Sequence, residues 1–416
     1  MLSLNGMPVG FIPQHGITNT PMTAINSVMT GASLAKSATY GYYAQTYAGM
    51  EWDGQQFMKI LDDIKASGAI FEAAVMPVES WRGYSATDNS QAIAVAKIMR
   101  KITDEGVDVR LRFAHEANYY TTTTAKASGG AYYAGGADAM QTFKVAFKEV
   151  AQACAKYAPS VEMVYSPNMA NLTELKAWAP STSLFKYVAV DYYPETQSEL
   201  SVDSFVSKVK PFHDYFTADS DRKFIIAESG LHINTTKSAR LQWLEILTSE
   251  AVQTALPNLI SVTWFNLNLE SATGGDFDYR IMDWRASKAY NAPLLSMLED
   301  ARPASSTRRS STSSTTKKTP SKTSATHSKS HATALKGDAS TSKGRGNKSK
   351  VKACKAASSE TNSAQPTSSE ASADHLTLTE AQVSQSMSSM AIVRDIGHRG
   401  KRAHGRLHDA IKKVLT

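Results

Sequence analysis

Eight short apolar runs alternate with longer amphipathic segments through the first 300 residues, and this alternation constrains the fold more than any other feature. The runs are Val9–Pro13, Ala38–Ala44, Ile70–Met76, Val107–Phe113, Val161–Tyr165, Tyr187–Val190, Lys223–Ala227 and Leu259–Phe265. The clearest predicted helices between them are Gly54–Ala66, Asp88–Thr103, Asp138–Tyr157, Val202–Phe216 and Ser238–Ala255. In the first of these, Phe57, Ile60, Leu61 and Ile64 recur at spacings of three and four and so share one face. Asp53 is placed to cap its start and Gly68 to end it. Continuous apolar strands between helices predict a parallel sheet covered on its outer face. Eight strand–helix units in this length predict a (β/α)8 TIM barrel. An open doubly wound sheet is the competitor, but the chain lacks the dinucleotide-binding glycine pattern and has more units than that fold needs. The first unit is the weakest, because Thr18–Ser33 makes a poor helix.

The remaining residues differ in kind. All 36 Phe, Trp and Tyr residues fall within 1–300. That part carries 24 Lys and Arg against 31 Asp and Glu, and residues 301–416 carry 21 against 7. The net charges are therefore −7 and +14, and the overall +7 describes neither part. Only residues 1–300 can bury a large core. Residues 301–380 form a Ser/Thr/Lys-rich linker expected to be disordered, since such a segment cannot repay its ordering entropy. Residues 381–416 form a basic tail in which a short amphipathic helix is expected over Ala391–Val414. A solvated tail is one reading, and contact with acidic polymer, cell-wall material or a membrane surface is the other. Specific nucleic-acid binding is not expected, because neither a recognition fold nor stacking aromatics accompany the charge.

Two cysteines, Cys154 and Cys354, exclude a disulfide-rich scaffold and an all-cysteine metal site. No run of 18 apolar residues predicts a membrane span. The first residues, Met1-Leu2-Ser3-Leu4-Asn5-Gly6, lack the basic and apolar regions of a signal peptide.

Active sites of a parallel barrel lie at the C-terminal ends of its strands. Here those ends are rich in polar and aromatic residues, including Trp81, Arg112, His115, Asn118, Asp191, Tyr192, Tyr193, Trp264 and Asn266. Glu116 and Glu228 directly follow the fourth and seventh runs, which face each other across a barrel mouth. Two carboxyl groups across a cleft are what glycosidic cleavage needs, one protonated to release the leaving oxygen and one ionised to attack or stabilise the sugar. A salt bridge from such a Glu to Arg110 or Arg112 is the structural alternative. Trp81, Tyr120, Tyr192, Tyr193 and Trp264 would cover the apolar faces of sugar rings, while Arg112, His115, Asn118 and Asn266 bind hydroxyls or orient carboxylates. His115-Glu116 lacks the second His, one helical turn on, that a zinc protease requires, and no metal site is expected.

The stretch Arg112-Phe113-Ala114-His115-Glu116-Ala117-Asn118 resembles the fourth-strand motif of glycoside hydrolase family 26, Arg-x-x-His-Glu-Met-Asn. The resemblance spans residues 8–298. The family belongs to the retaining (β/α)8 glycosidase clan, and most of its members are endo-β-1,4-mannanases. The resemblance implies Glu116 as acid/base and Glu228, in Ala227-Glu228-Ser229-Gly230, as nucleophile. It matches the family's active-site Tyr to Tyr192, in Asp191-Tyr192-Tyr193-Pro194, and its eighth-strand Trp to Trp264. Ala117 stands where the family has Met, and Tyr119-Tyr120 departs from its usual continuation.

These residues together predict a retaining endo-acting hydrolase of β-linked polysaccharide, β-1,4-mannan first, working without a cofactor as a monomer. Hydrolysis of β-1,3-glucan, mixed-linkage β-glucan or xylan is the alternative within that chemistry, and a catalytically inactive carbohydrate-binding barrel is the alternative outside it. Retention implies carboxyl groups about 5–5.5 Å apart. A polymer substrate implies a secreted or wall-associated protein, with cytoplasmic residence the alternative. Asn171 and Asn234 would be glycosylation acceptors in a secreted chain.

Overall fold

A computed structural model describes residues 1–14, 20–128, 130–231, 236–268 and 278–301. Eight parallel strands close on themselves: β1 (Met7–Ile12), β2 (Thr39–Thr46), β3 (Ile70–Pro77), β4 (Val109–Phe113), β5 (Glu162–Tyr165), β6 (Tyr187–Tyr192), β7 (Lys223–Ser229) and β8 (Leu259–Phe265). Each pairs with the next, and β8 returns to β1 through Val9↔Val262 to Ile12↔Phe265. The chain is thus a (β/α)8 barrel, as the alternation predicts. The strand limits differ from the expected runs by no more than two residues at either end, and β2, β6 and β7 each run two residues further at their C-terminal ends. The expectations of a disordered linker, a C-terminal amphipathic helix and an acceptor Asn234 fall outside the described residues.

A two-residue strand, Ser3–Leu4, folds back antiparallel onto β1 through Asn5 and Gly6, both at positive φ. Such a two-residue turn matches the twist of the strands that it joins.

The helices that wrap the barrel show why the first unit read poorly. Met22–Gly31 is helical, with Met22, Ile25 and Met29 buried, although Pro21 at its N-cap offers no side-chain acceptor. The acceptor comes from the next unit. Asp63 takes the Met22 and Thr23 N–H groups at 2.8 and 3.0 Å, together with the Thr23 and Tyr40 hydroxyls. Free N–H groups at a helix start need such partners, and here the partner lies 40 residues away. The predicted helix Gly54–Ala66 is two, Gln55–Met58 and Leu61–Ser67, and Ser238–Ala255 is likewise Lys237–Thr248 and Glu250–Ala255. The second break lies at Ser249, whose extended backbone lets its hydroxyl cap the following helix. Among the described residues no helix is long and apolar enough to cross a membrane.

Inside the barrel a polar layer lies beneath the mouth. Arg110 donates to Glu72 at 3.1 Å and to Ser261 at 3.0 Å, and Thr263 donates to the other Glu72 oxygen at 2.6 Å. Glu72 is fully buried, so its charge is tolerable because the guanidinium and hydroxyl partners satisfy it there. This layer claims Arg110, and the next arginine along β4, Arg112, reaches the mouth.

Candidate active site

At the end of β4 the backbone leaves the sheet through two left-handed residues, Ala114 at φ 48° and Glu116 at φ 53°. Such angles are costly for residues with a Cβ and persist only where surrounding contacts enforce them. Those contacts are present. Ala114 N–H continues the ladder to the Val75 carbonyl at 2.8 Å, and Glu116 N–H reaches the Ser166 carbonyl at 2.7 Å. The Glu116 carbonyl then accepts the Tyr119 and Tyr120 N–H groups of the short helix Ala117–Tyr120. His115 and Glu116 are thereby fixed just beyond the strand, both almost completely buried.

Arg112 organises the floor. Its Nη2 lies 2.5 Å from Asp191 Oδ2 and 2.8 Å from Glu228 Oε1, and its Nε donates to Ser166 Oγ at 3.1 Å. Burial alone would lower the guanidinium's pKa, but the charges of Asp191 and Glu228 outweigh it and hold it above its ordinary value. Tyr193 donates its hydroxyl to the other Glu228 oxygen at 3.3 Å. His115 Nε2 stands 3.8 Å from Glu228 Oε1, with its ring between Tyr43 and Tyr120 at centroid distances of 5.5 and 5.6 Å. Tyr133 donates to the His115 carbonyl at 3.0 Å. Burial, reinforced by the charge of Glu116, raises its pKa well above the usual phenol value, so it stays a neutral donor. Ser166 ties the two arms together, since its carbonyl receives Glu116 and its hydroxyl receives Arg112.

His115, Asp191 and Glu228 present ligand-type atoms within 4.8 Å of one another. A cation could bridge that spacing, but Arg112 Nη2 already stands between the two carboxylates. The positive charge there is the protein's own.

The structure brings Arg112, His115, Glu228 and Tyr193 together and places the other expected site residues differently. Tyr192 points out of the barrel, its ring against Phe205 and Trp243 at 5.2 and 5.9 Å, so Tyr193 carries the hydroxyl that meets Glu228. Asn118 is engaged with the backbone of Asn168 in both directions and with Glu174. Trp264 is fully buried with its Nε1 on the Tyr279 carbonyl, and Tyr120 is buried against His115, Tyr119 and Tyr133. Trp81 is half-buried, donating to the Ala134 carbonyl and packing against Tyr133 and Phe143. Asn266 accepts the N–H groups of Ile281 and Met282 and donates to the Met282 carbonyl. Tyr43, Tyr133 and Ser166 shape the site without having stood out in the sequence. Ser166 directly follows β5 and could have been marked by that position, whereas Tyr43 lies within β2 and Tyr133 in the loop beyond the helix Thr123–Ala127. Gly230, two residues beyond Glu228, has no room for a side chain, because a Cβ would meet Tyr279 Cδ1 at 2.8 Å and Tyr193 Cε1 at 3.5 Å.

No family model matches the sequence, and no curated protein matches it. Solved structures do. A broad-specificity GH5-4 endoglucanase from Clostridium acetobutylicum aligns at 13% identity over 72% of this chain and 99% of its own, with a TM-score of 0.51. A second such endoglucanase, from Clostridium longisporum, aligns at 10% identity over 73% and 100%, with a TM-score of 0.50. A GH26 β-mannanase from Bacteroides ovatus aligns at 15% identity over 71% and 89%, with a TM-score of 0.49. These structural neighbours are GH26 and GH5 glycoside hydrolases, and the likeness to the two endoglucanases, at these identities, shows the barrel fold.

Proposed function

We propose that this chain is a retaining glycoside hydrolase that cleaves internal bonds of a β-linked polysaccharide. The observation that carries the reading is the Glu228 carboxylate, buried at the end of β7 between Arg112 and Tyr193, with Glu116 presented from the end of β4 by an enforced left-handed turn. The likeness of fold to GH5-4 endoglucanases agrees with it. The resemblance of the Arg112–Asn118 stretch to family 26 puts β-1,4-mannan first among substrates.

Glu228 attacks the anomeric carbon, and the ion pair with Arg112 makes a buried carboxylate tolerable before the attack. Glu116, protonated, gives its proton to the departing sugar oxygen. The same residue, now a carboxylate, takes a proton from water as that water attacks the glycosyl ester and frees Glu228. Tyr193 holds the Glu228 oxygen opposite the one that Arg112 holds. His115, clamped by Tyr43 and Tyr120, lines the wall beside the nucleophile. No step needs a cofactor.

The test is reducing-end release from β-mannan, glucomannan, β-1,3-glucan, mixed-linkage glucan and xylans. Glu116→Gln is expected to cost about 10²–10⁴-fold in turnover of the polymer that is cut. Glu228→Gln is expected to abolish turnover, with both variants melting near the wild-type temperature. Proton NMR of the first products should show the β-anomer; an initial α-anomer would overturn the two-step mechanism. Binding of one polymer with no cleavage would replace the enzyme reading with that of an inactive carbohydrate-binding barrel.

A further inference from the structure

Trp284 is 38% exposed, whereas Trp264 and Trp243 are fully buried. A single exposed aromatic is ordinary on a protein surface, and Tyr215 is 52% exposed; what sets Trp284 apart is that it is mounted on a rigid bracket. Asn266, the first residue past β8 and nearly completely buried, takes the N–H groups of Ile281 and Met282 at 3.0 and 3.1 Å and donates to the Met282 carbonyl at 2.8 Å. Asn291, equally buried, grips the next residue at both its N–H (3.1 Å) and its carbonyl (2.8 Å). Arg280 holds the Asp283 carboxylate at 2.6 Å. The backbone on the N-terminal side of Trp284 is therefore fixed residue by residue.

The ring itself is fixed as well. Its Nε1 donates to Thr20 Oγ1 at 3.3 Å, and the Arg285 guanidinium lies over it at 5.0 Å from the centroid. Thr20 follows β1, where its N–H meets the Gln14 carbonyl, and Gln14 in turn bonds to the backbone of Asn268 beyond β8. Trp284 therefore sits at the rim where β8 meets β1, on the strand-end face that also carries Glu116 and Glu228. β8 is the immediate neighbour of β7, the strand that bears Glu228.

We propose that Trp284 is a stacking platform for a sugar ring of the bound polysaccharide, outside the reaction centre on the β8–β1 side of the mouth. This rests on the glycosidase reading for its substrate class. The indole plane covers the apolar C–H face of a pyranose, and a plane already immobilised loses little freedom when the sugar arrives. Asn266 and Asn291 act through the ring's mounting and are positioning residues.

The experiment compares full-length wild type with Trp284→Ala and Trp284→Phe, using the polymer from the panel that wild type binds or cuts. Rates are read on that polymer and on the shortest oligosaccharide still cleaved, and binding is read by electrophoresis in gels that contain the polymer. Trp284→Ala is expected to lower kcat/KM on the polymer about tenfold, mostly through KM. It should leave the shortest substrate and the melting temperature unchanged and lose retardation in the gel, with Trp284→Phe in between. Equal losses on long and short substrates would mark a structural role and overturn the proposal, as would no loss on either. If wild type is retarded but cuts nothing, the hydrolase reading falls and the gel alone decides Trp284. If wild type is neither retarded nor active on any polymer, both readings fall.

Discussion

Tyr192 and Tyr193 are neighbours of identical chemistry that serve opposite sides of the barrel wall. Side chains alternate between the two faces of a strand, so one of any adjacent pair points inward. Asp191 meets Arg112 inside, Tyr192 packs outside against Phe205 and Trp243, and Tyr193 returns to Glu228. The prediction follows from the Tyr193 hydroxyl, which reaches the Glu228 carboxylate. Tyr193→Phe should lower kcat about tenfold, the worth of a hydrogen bond to a charged group, whereas Tyr192→Phe should leave kcat unchanged. Steady-state rates of both variants on the cleaved polymer check it, and equal effects would mean that neither hydroxyl touches the chemistry. The pair also marks where sequence reasoning stops. Arg112, His115, Glu116 and Glu228 stand out because apolar runs end at charged residues, and all four are buried at the strand ends where the runs put them. The two tyrosines follow plain alternation from Asp191, whereas the family resemblance favours Tyr192. The register shift between β6 and β7 passes over Ala227 and bears instead on how Glu228 is aimed. A bulge changes which residues face inward, and nothing in the apolar pattern announces it. Trp264, expected at the mouth, is buried instead, since composition at a strand end does not say whether an indole faces the solvent.

Helices that carry their own periodicity were legible, and those completed by distant residues were not. Met22–Gly31 looked poor because its cap, Asp63, belongs to another unit. Val202–Thr217 was clear from Phe205, Val209, Phe212 and Phe216, yet its most informative polar residue, His213, is also held from outside. His213 Nε2 accepts the Asn258 N–H at 3.2 Å, and Nδ1 faces Asp214 Oδ1 at 2.8 Å. The ring is therefore the neutral tautomer with its proton on Nδ1, and a second proton would displace Asn258. The other groups around it are Lys210, paired with Asp214, and the Phe224 ring. Burial lowers the His213 pKa from its ordinary 6.5, with Asp214 opposing and Lys210 assisting. A folded-state value below the unfolded one means that the unfolded chain takes the proton first as pH falls. This contribution to stability is thus whole above about pH 6.5 and is lost as acidity increases from there to the folded-state pKa. Melting temperature should accordingly fall between pH 7 and 5, and His213→Gln should flatten that part of the profile while lowering the whole curve. An unchanged slope in the variant would assign the acid sensitivity to other groups, Asp214 among them.

Across the whole molecule the charge is divided more sharply than the net +7 suggests, at −7 for residues 1–300 and +14 for residues 301–416. The barrel half of this division was legible because packing leaves a pattern: apolar runs, helical spacing and turn residues all serve one buried core. A basic Ser/Thr-rich segment carries no such pattern, and what it does communicate is electrostatic. Opposite charges within one chain give distinct salt responses for distinct partners. Turnover of an uncharged polysaccharide engages the acidic part and should change little with ionic strength. Adsorption to an anionic polymer would engage the basic part and should weaken steeply as added salt shortens the screening length from about 30 Å at 0.01 M to about 8 Å at 0.15 M. The measurement is co-sedimentation of the full chain with an acidic and with a neutral insoluble polysaccharide across that salt range, alongside the rate on a soluble neutral substrate. Adsorption to the acidic polymer that vanishes with salt, at an unaltered rate, would make the last 116 residues an electrostatic tether for an enzyme whose chemistry lies wholly in the barrel. Salt-independent adsorption to the neutral polymer would instead locate retention in the barrel, with Trp284 at its rim, and leave the basic residues without a role in holding substrate.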